Sequence, residues 1–213
     1  MKKDPPTVII VDDDLSVREA LSSLLRSVGL RAECFASPQE LFASEKMRSG
    51  SCLVLDVRLP GISGLEVHRE IQKIGINLPT VFITGHGDVP MSVRAMRAGA
   101  VEFLTKPFRD QELLDAVQIA LKLHHDRRRE EDSLNDLRQR FSLLTARERA
   151  VMENLVTGQL NKEIGAKLGT TESTIKSHRS QVMRKMQASS LPDLVRMADR
   201  LGVGNNEGPE NSD

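Results

Sequence analysis

"TVIIVDDD", residues 7–14, joins a run of β-branched apolar residues to three consecutive carboxylates. Asp12, Asp13 and Asp14 repel one another, so a chain selected only for stability would not place them together. A short apolar run without polar alternation is the mark of a parallel strand covered on both faces. In a sheet of such strands ligand chemistry collects at the carboxyl ends, which is where these acids stand.

The pattern repeats along the first half of the chain, in RAECF (31–35), CLVLD (52–56), PTVFIT (79–84) and VEFL (101–104). Amphipathic stretches separate these runs. Val17, Ala20, Leu21, Leu24 and Val28 line one face of the first, and Ser37-Pro-Gln-Glu40 is a capping box with proline at the first helical position of the second. Asp88 followed by Pro90 opens the fourth. Five β-α units in succession predict an α/β fold, an open doubly wound parallel five-stranded sheet with right-handed crossovers.

At 213 residues the chain has room for two domains. It shows no signal peptide and no apolar run near the ~20 residues that span a bilayer, so no membrane is expected. Cys34 and Cys52 have no metal-ligand spacing and read as reduced packing residues of a cytoplasmic protein. The lack of Trp and Tyr argues against base stacking on aromatic side chains. A formal charge of zero conceals an asymmetry: residues 1–125 carry 15 basic and 16 acidic side chains, whereas residues 141–203 carry 10 against 6. The second half is therefore the candidate for nucleic acid.

The expected boundaries are a first domain over 1–123, a helical linker over 124–140, a small all-α domain over 141–203 and a disordered tail over 204–213. The linker, "HHDRRREEDSLNDLRQR", is dense in charge and reads as a solvated helix. A heptad register runs through it from Leu113, Ala116, Ala120 and Leu123 to Leu134, Leu137, Phe141 and Leu144, interrupted by Arg127 and Glu130.

Asp12 and Asp13 close the first run and Asp56 closes the third. Convergent hard oxygen ligands call for a divalent cation, Mg²⁺ (or Mn²⁺) where phosphate is involved. Asp14 reads separately, as a helix N-cap. Thr84 ends the fourth run and Lys106-Pro107 follows the fifth, which adds a hydroxyl and an ammonium to the same edge. That set suits a phosphoryl group: cations neutralise its oxygens, the hydroxyl donates to it, and a carboxylate accepts it as an acyl phosphate. Asp56, nearest the middle of the sheet, is the expected nucleophile. His68 falls in a helical pattern and is read as solvated.

In the basic half, Thr145 with Glu148 forms a capping box. Ile164 and Leu168 share a helical face that ends at Gly169, and a third helix after "GTT" buries Ile175, Val182 and Met186. The opposite face of that helix carries Lys176, Ser177, Arg179, Ser180, Arg184 and Lys185. This is a helix-turn-helix with a basic second helix, suited to a major groove; a basic helical bundle with a solvated face is the plainer alternative.

Three stretches, TVIIVDDD, "LVLDVRLPGISGLE" and "VFITGHGDVPMSVRAMRAGAVEFLTKPF", resemble the receiver domain of two-component response regulators, and the last is similar to the FixJ branch. The resemblance implies a flavodoxin-like strand order 2-1-3-4-5. It implies Asp56 as phosphoacceptor, Asp12, Asp13, Asp56 and the Arg58 backbone carbonyl as the Mg²⁺ shell, and Thr84 and Lys106 as phosphoryl contacts. A cis Lys106–Pro107 bond, a rotating aromatic at Phe103 that follows Thr84, and dimerisation around Val89–Ala98 and Val101–Leu104 are further implications. His86 falls where the family tunes dephosphorylation. "LTARE", "NKEIGAKLG", "ESTIKSHR" and "VMRKM" resemble the LuxR-type helix-turn-helix of FixJ/NarL regulators. By that match Lys176, Ser177 and Ser180 face base edges, Asn161, Lys162, Thr174, Arg179 and Lys185 meet phosphates, and a helix over 190–201 with Leu194, Val195 and Ala198 on one side dimerises. Gly165 stands where the family has alanine, a helix-interior glycine expected to cost ~1 kcal/mol.

The expected function is that of a transcription regulator activated by phosphorylation. It takes a phosphoryl group from a sensor histidine kinase, forms a homodimer, binds promoter DNA and acts on RNA polymerase. It is not an enzyme beyond its own phosphotransfer and slow autodephosphorylation. Two other classes compete: a metal-dependent phosphohydrolase, which lacks a general acid beside Asp56, and a phosphate-independent DNA-binding protein, which the intact site argues against.

Overall fold

A computed structural model describes residues 5–85 and 89–204. His86, Asp88 and all but the first residue of the 204–213 tail lie outside the described residues, and with them the readings made there.

The chain divides into two compact units, Met1–Arg128 and Arg129–Asp213. In the first, strands β1 (Thr7–Val11), β2 (Arg31–Phe35), β3 (Cys52–Asp56), β4 (Thr80–Thr84) and β5 (Glu102–Thr105) form a parallel sheet in the order β2-β1-β3-β4-β5. Period-two alternation sorts their side chains to two cores. Ile9, Val11, Leu53, Leu55 and Phe82 pack with Leu41 of α2 (Pro38–Ala43), Val67 and Ile71 of α3 (Gly64–Lys73) and Ala95 of α4 (Val89–Arg97). Val8, Ile10, Val54, Val81 and Ile83 pack with Leu21 and Leu25 of α1 (Leu15–Ser27) and Leu113, Ala116, Val117 and Ala120 of α5 (Asp110–Ser142). Burial on both faces holds for β1, β3 and β4. The edge strands β2 and β5 are only partly covered, because each has a single neighbour.

Several local expectations shift. The buried stripe of α1 runs through Leu21 and Leu25, while Ala20 and Val28 are exposed. Ser37 caps α2 as expected, but Glu40 reaches back to the Ala36 N–H rather than to Ser37. Helix α5 continues unbroken through the expected linker. Its heptad seam is consumed within each unit: Leu113, Ala116 and Ala120 are buried in the first, Leu137 and Leu144 in the second. Most of residues 124–136 are exposed on this helix, as a solvated linker would be, and Leu137 is buried in the second unit.

That second unit packs α6 (Ala146–Val156), α7 (Asn161–Lys167), α8 (Glu172–Met186) and α9 (Leu191–Leu201) around Val151, Leu155, Ile164, Ile175, Val182 and Met186. Leu194 and Ala198 belong to this core, so two of the three residues expected on a dimer face of α9 are buried inside the unit, leaving Val195 half-exposed. Gly165 has a packing reason: a Cβ there would lie 2.9 Å from the Thr170 carbonyl oxygen, where α7 turns tightly into α8.

Candidate functional site: an acidic sheet edge and a basic helix

Because β1 and β3 are neighbours in register Val11↔Leu55, the acids that follow them meet. Asp12, Asp13 and Asp56 each offer an oxygen within 4.8 Å of the others; Asp12 and Asp56 are buried and Asp13 is exposed. Such a cradle of hard oxygen donors fits a divalent cation. Lys106, carried past the end of β5, sets its Nζ 2.6 Å from Asp12 Oδ2 and 3.5 Å from Asp56 Oδ2. Thr84 is buried at the end of β4, and its carbonyl accepts the Lys106 N–H at 2.7 Å, which ties the two last strands together at the site. The Lys106–Pro107 bond is cis, as the resemblance implies.

Burial pushes the Asp56 carboxyl above its ordinary range, against the Lys106 charge and the Arg58 N–H, which donates to Asp56 Oδ1 at 3.3 Å; the Asp12 charge pushes it up further. A carboxylate that is desolvated yet held by few donors keeps its nucleophilic lone pairs accessible. Asp14 stands apart, accepting from the Ser16 and Val17 N–H groups as the cap of α1. Arg18 of α1 donates to the Asp12 carbonyl at 2.6 Å and so pins the acidic loop.

Gly64 escaped the reading of the sequence. The loop after β3 returns so closely that a Cβ at Gly64 would lie 2.2 Å from the Asp56 carbonyl oxygen. Its N–H donates to the Val57 carbonyl at 2.9 Å. The available signal was a glycine at the first position of a helix already capped by Ser63. Phe103 pairs with Phe82 in register and lies half-buried against the α2–α4 core. On α4, Met91 leans on that core, while Val89, Val93 and Met96 are exposed.

His68 is not solvated. It is buried edge-on to the Phe82 ring, centroids 5.6 Å apart, and burial lowers its pKa. The α3 periodicity places it on the inner face with Leu65 and Ile71, a position the polar letter obscured.

In the second unit, Lys176, Ser177 and Ser180 are exposed on one face of α8, with Lys176 Nζ 3.1 Å from Glu172. Arg179 is half-buried, and Thr174 shares a 2.8 Å hydroxyl contact with Thr171, the N-cap. Asn161 and Lys162 open α7: Lys162 is exposed, and Asn161 Oδ1 is buried without a hydrogen-bond partner. Lys185 is engaged within its own unit. Its Nζ lies 2.6 Å from Glu148 Oε2 and donates to the Leu143 carbonyl at 3.1 Å, so the ammonium is turned into the unit and away from the exposed face. The Lys185 hydrogen bond, then the Thr145 N–H, hold the Glu148 carboxyl below its ordinary range.

Comparisons with known proteins match the same two regions. Residues 8–118 match the response regulator receiver domain, and residues 142–198 match the bacterial regulatory proteins of the luxR family. Nodulation protein W of Bradyrhizobium diazoefficiens is 50% identical over 199 residues, 93% of this chain and 88% of that protein. Transcriptional regulatory protein FixJ of Rhizobium meliloti is 41% identical over 93% of this chain and 97% of its own length. The low-resolution structure of the response regulator StyR superposes with a TM-score of 0.83 at 45% identity, covering 92% of this chain and 99% of that one.

Proposed function

The chain belongs to the response regulators that join a receiver domain to a LuxR-type helix-turn-helix and is a phosphorylation-dependent DNA-binding transcriptional regulator, and we propose that Asp56 accepts the phosphoryl group. The observation that carries this is the meeting of Asp12, Asp13, Asp56 and Lys106 at one sheet edge. An Asp56 carboxylate oxygen attacks phosphorus of a kinase phosphohistidine; the O–P bond forms, the N–P bond breaks, and the imidazole leaves. Asp12, Asp13, Asp56 and the Arg58 carbonyl would hold Mg²⁺, which supplies charge neutralisation for the phosphoryl oxygens. Lys106 moves from its two carboxylates toward the new oxygens, and the Thr84 hydroxyl donates to one of them. The buried pocket keeps bulk water from the acyl phosphate and so sets its lifetime. Phe103, half-buried beside β4, follows Thr84 inward, and the exposed Val89, Val93 and Met96 of α4 pair with a second copy. Two half-sites are then held together, which raises DNA affinity by effective concentration and brings the regulator to RNA polymerase at a promoter.

Among the described residues no helix is long and apolar enough to cross a membrane. We take the cytoplasm, where kinase, promoter and polymerase meet, as the place of action. The test is intact-mass measurement after incubation with acetyl phosphate, followed by sedimentation. One phosphoryl group per chain, blocked by chelator and accompanied by dimer formation, is expected. Full labelling in chelator would remove the metal from this reading.

A further inference from the structure

The "TARER" turn, residues 145–149, touches three other helices of its unit. Arg147 donates to the carbonyl of Leu168, the C-cap of α7. Glu148 binds Lys185 in the last turn of α8, and Lys185 also holds the Leu143 carbonyl just beyond α5. Arg149 donates to the Ser142 carbonyl at 3.3 Å and lies 5.2 Å over the Phe141 ring. From α5, Arg140 donates to the Met186 carbonyl at the end of α8. Both helices of the helix-turn-helix are therefore fastened at their C-terminal ends to one frame, while the N-terminal half of α8 presents Lys176, Ser177 and Ser180 to solvent.

We propose that Glu148 and Lys185 form a strut that fixes the tilt of the recognition helix, so that Lys185 is a positioning residue for base reading and not a contact to the DNA backbone. The side chains of the pair are 7% and 23% exposed; Glu148 Oε2 accepts from the Thr145 N–H and from Lys185, which also donates to the Leu143 carbonyl. Lys176, Ser177 and Ser180 lie five to nine residues away from Lys185 along α8. At 1.5 Å per residue that is a lever of ~8–14 Å, so a tilt of ~10° about the anchored end moves a base-reading group by ~1–2 Å. A hydrogen bond to a base edge does not survive such a shift. Attraction to phosphates decays over a screening length of ~8–10 Å and does survive it. The strut therefore controls discrimination between sequences, and leaves non-specific affinity nearly intact.

The full-length chain is titrated, at several salt concentrations, against a mixed-sequence duplex and against the duplex it enriches from a random library. Lys185→Met, Glu148→Gln and the double variant are compared. Glu148→Gln keeps an oxygen for the Thr145 N–H, so one variant spares the cap of α6. Circular dichroism reports the fold. Each single variant is expected to keep the salt slope on the mixed duplex and to lose about tenfold or more on the enriched one, with the double variant no worse than either. A Lys185→Met slope smaller by about 0.9, with equal losses on both duplexes, overturns the proposal and restores a phosphate contact. Tighter mixed-duplex binding by Glu148→Gln does the same, since it would mean a cation set free for DNA. No loss on either duplex, or unfolding of both single variants, also overturns it. Lys176→Ala serves as the control: its indifference on the enriched duplex would indict the assignment of α8 to the groove, and not the strut.

Discussion

Lys106 in the receiver and Lys185 in the DNA-binding unit each hold a carboxylate at 2.6 Å, and their side chains are 22% and 23% exposed. Distance and exposure do not tell them apart; their surroundings do. Around Lys106 two carboxylates share one ammonium and a third, the exposed Asp13, stands beside them, so the cluster is left with surplus negative charge. Around Lys185 one carboxylate meets one ammonium, and the Thr145 N–H and the Leu143 carbonyl each add a hydrogen bond to the pair. An unbalanced buried cluster is costly in the free protein and is relieved by a cation or a phosphoryl group. A charge-balanced pair already held by its own unit gains less from a ligand, and it braces the fold.

The comparison breaks most visibly at Asp56. Asp56→Asn is expected to abolish phosphoryl labelling and the dimer that depends on it, read by mass and sedimentation. It should also stabilise the metal-free chain. The folded-state pKa of Asp56 is raised, so its contribution is present below the ordinary carboxylate value and lost as pH rises through the folded value. At neutral pH the charged group therefore opposes folding, and asparagine removes that cost. A lower melting temperature for Asp56→Asn in chelator would contradict the surplus-charge account.

Gly64→Ala comes next. A methyl 2.2 Å from the Asp56 carbonyl must push the β3–α3 loop off the strand end, at about 1–3 kcal/mol for overpacking. Slower labelling should accompany the lower stability, because the displaced backbone carries the Arg58 N–H that holds Asp56. Denaturant unfolding and the labelling rate check both; a variant as stable as the parent would mean the loop can yield cheaply.

The lysines of α7 and α8 sharpen the other side. Lys176→Ala is expected to cost ~1–3 kcal/mol and relax preference at one base pair per half-site. Lys162→Ala should weaken all duplexes alike and lower the salt slope by about 0.9. Selection from a random library with each variant decides between them. If Lys176→Ala keeps every base preference, its ion pair with Glu172 is its whole role.

These residues also mark what the sequence revealed. The strands and their acidic edge were legible because short apolar runs and the carboxyl-end rule act on neighbours in sequence: TVIIVDDD and CLVLD carry their own evidence, whereas the strand order came only with the family resemblance. The heptad seam was ambiguous because Leu113, Ala116, Ala120, Leu137 and Leu144 look the same whether a second chain or the chain's own two cores cover them. For Lys185 a helical wheel shows a face but not the Glu148 that approaches from another helix. Gly64 and Gly165 are justified only by distant carbonyls, and a sequence does not display what a missing Cβ would have met.

His68 offers the smallest effect and the finest test of the receiver side. It is a buried group of a third kind, neither surplus nor balanced. One ring nitrogen meets Gln72 at 3.4 Å and the other, Nδ1, is buried with no hydrogen-bond partner, while the Phe82 ring closes one side. Burial disfavours the imidazolium, and the folded pKa lies below the ordinary 6.5. The unfolded chain then binds a proton that the folded chain refuses, so stability falls as pH drops from about 6.5 toward the folded value and is unaffected well above it. His68→Leu removes this titration while filling the same apolar site. The difference in unfolding free energy between parent and variant, followed from about pH 7.5 to 5.5, should therefore drift steadily against the parent. A flat difference would mean that the imidazolium is accommodated at Phe82 after all, and that α3 shifts to let water reach it.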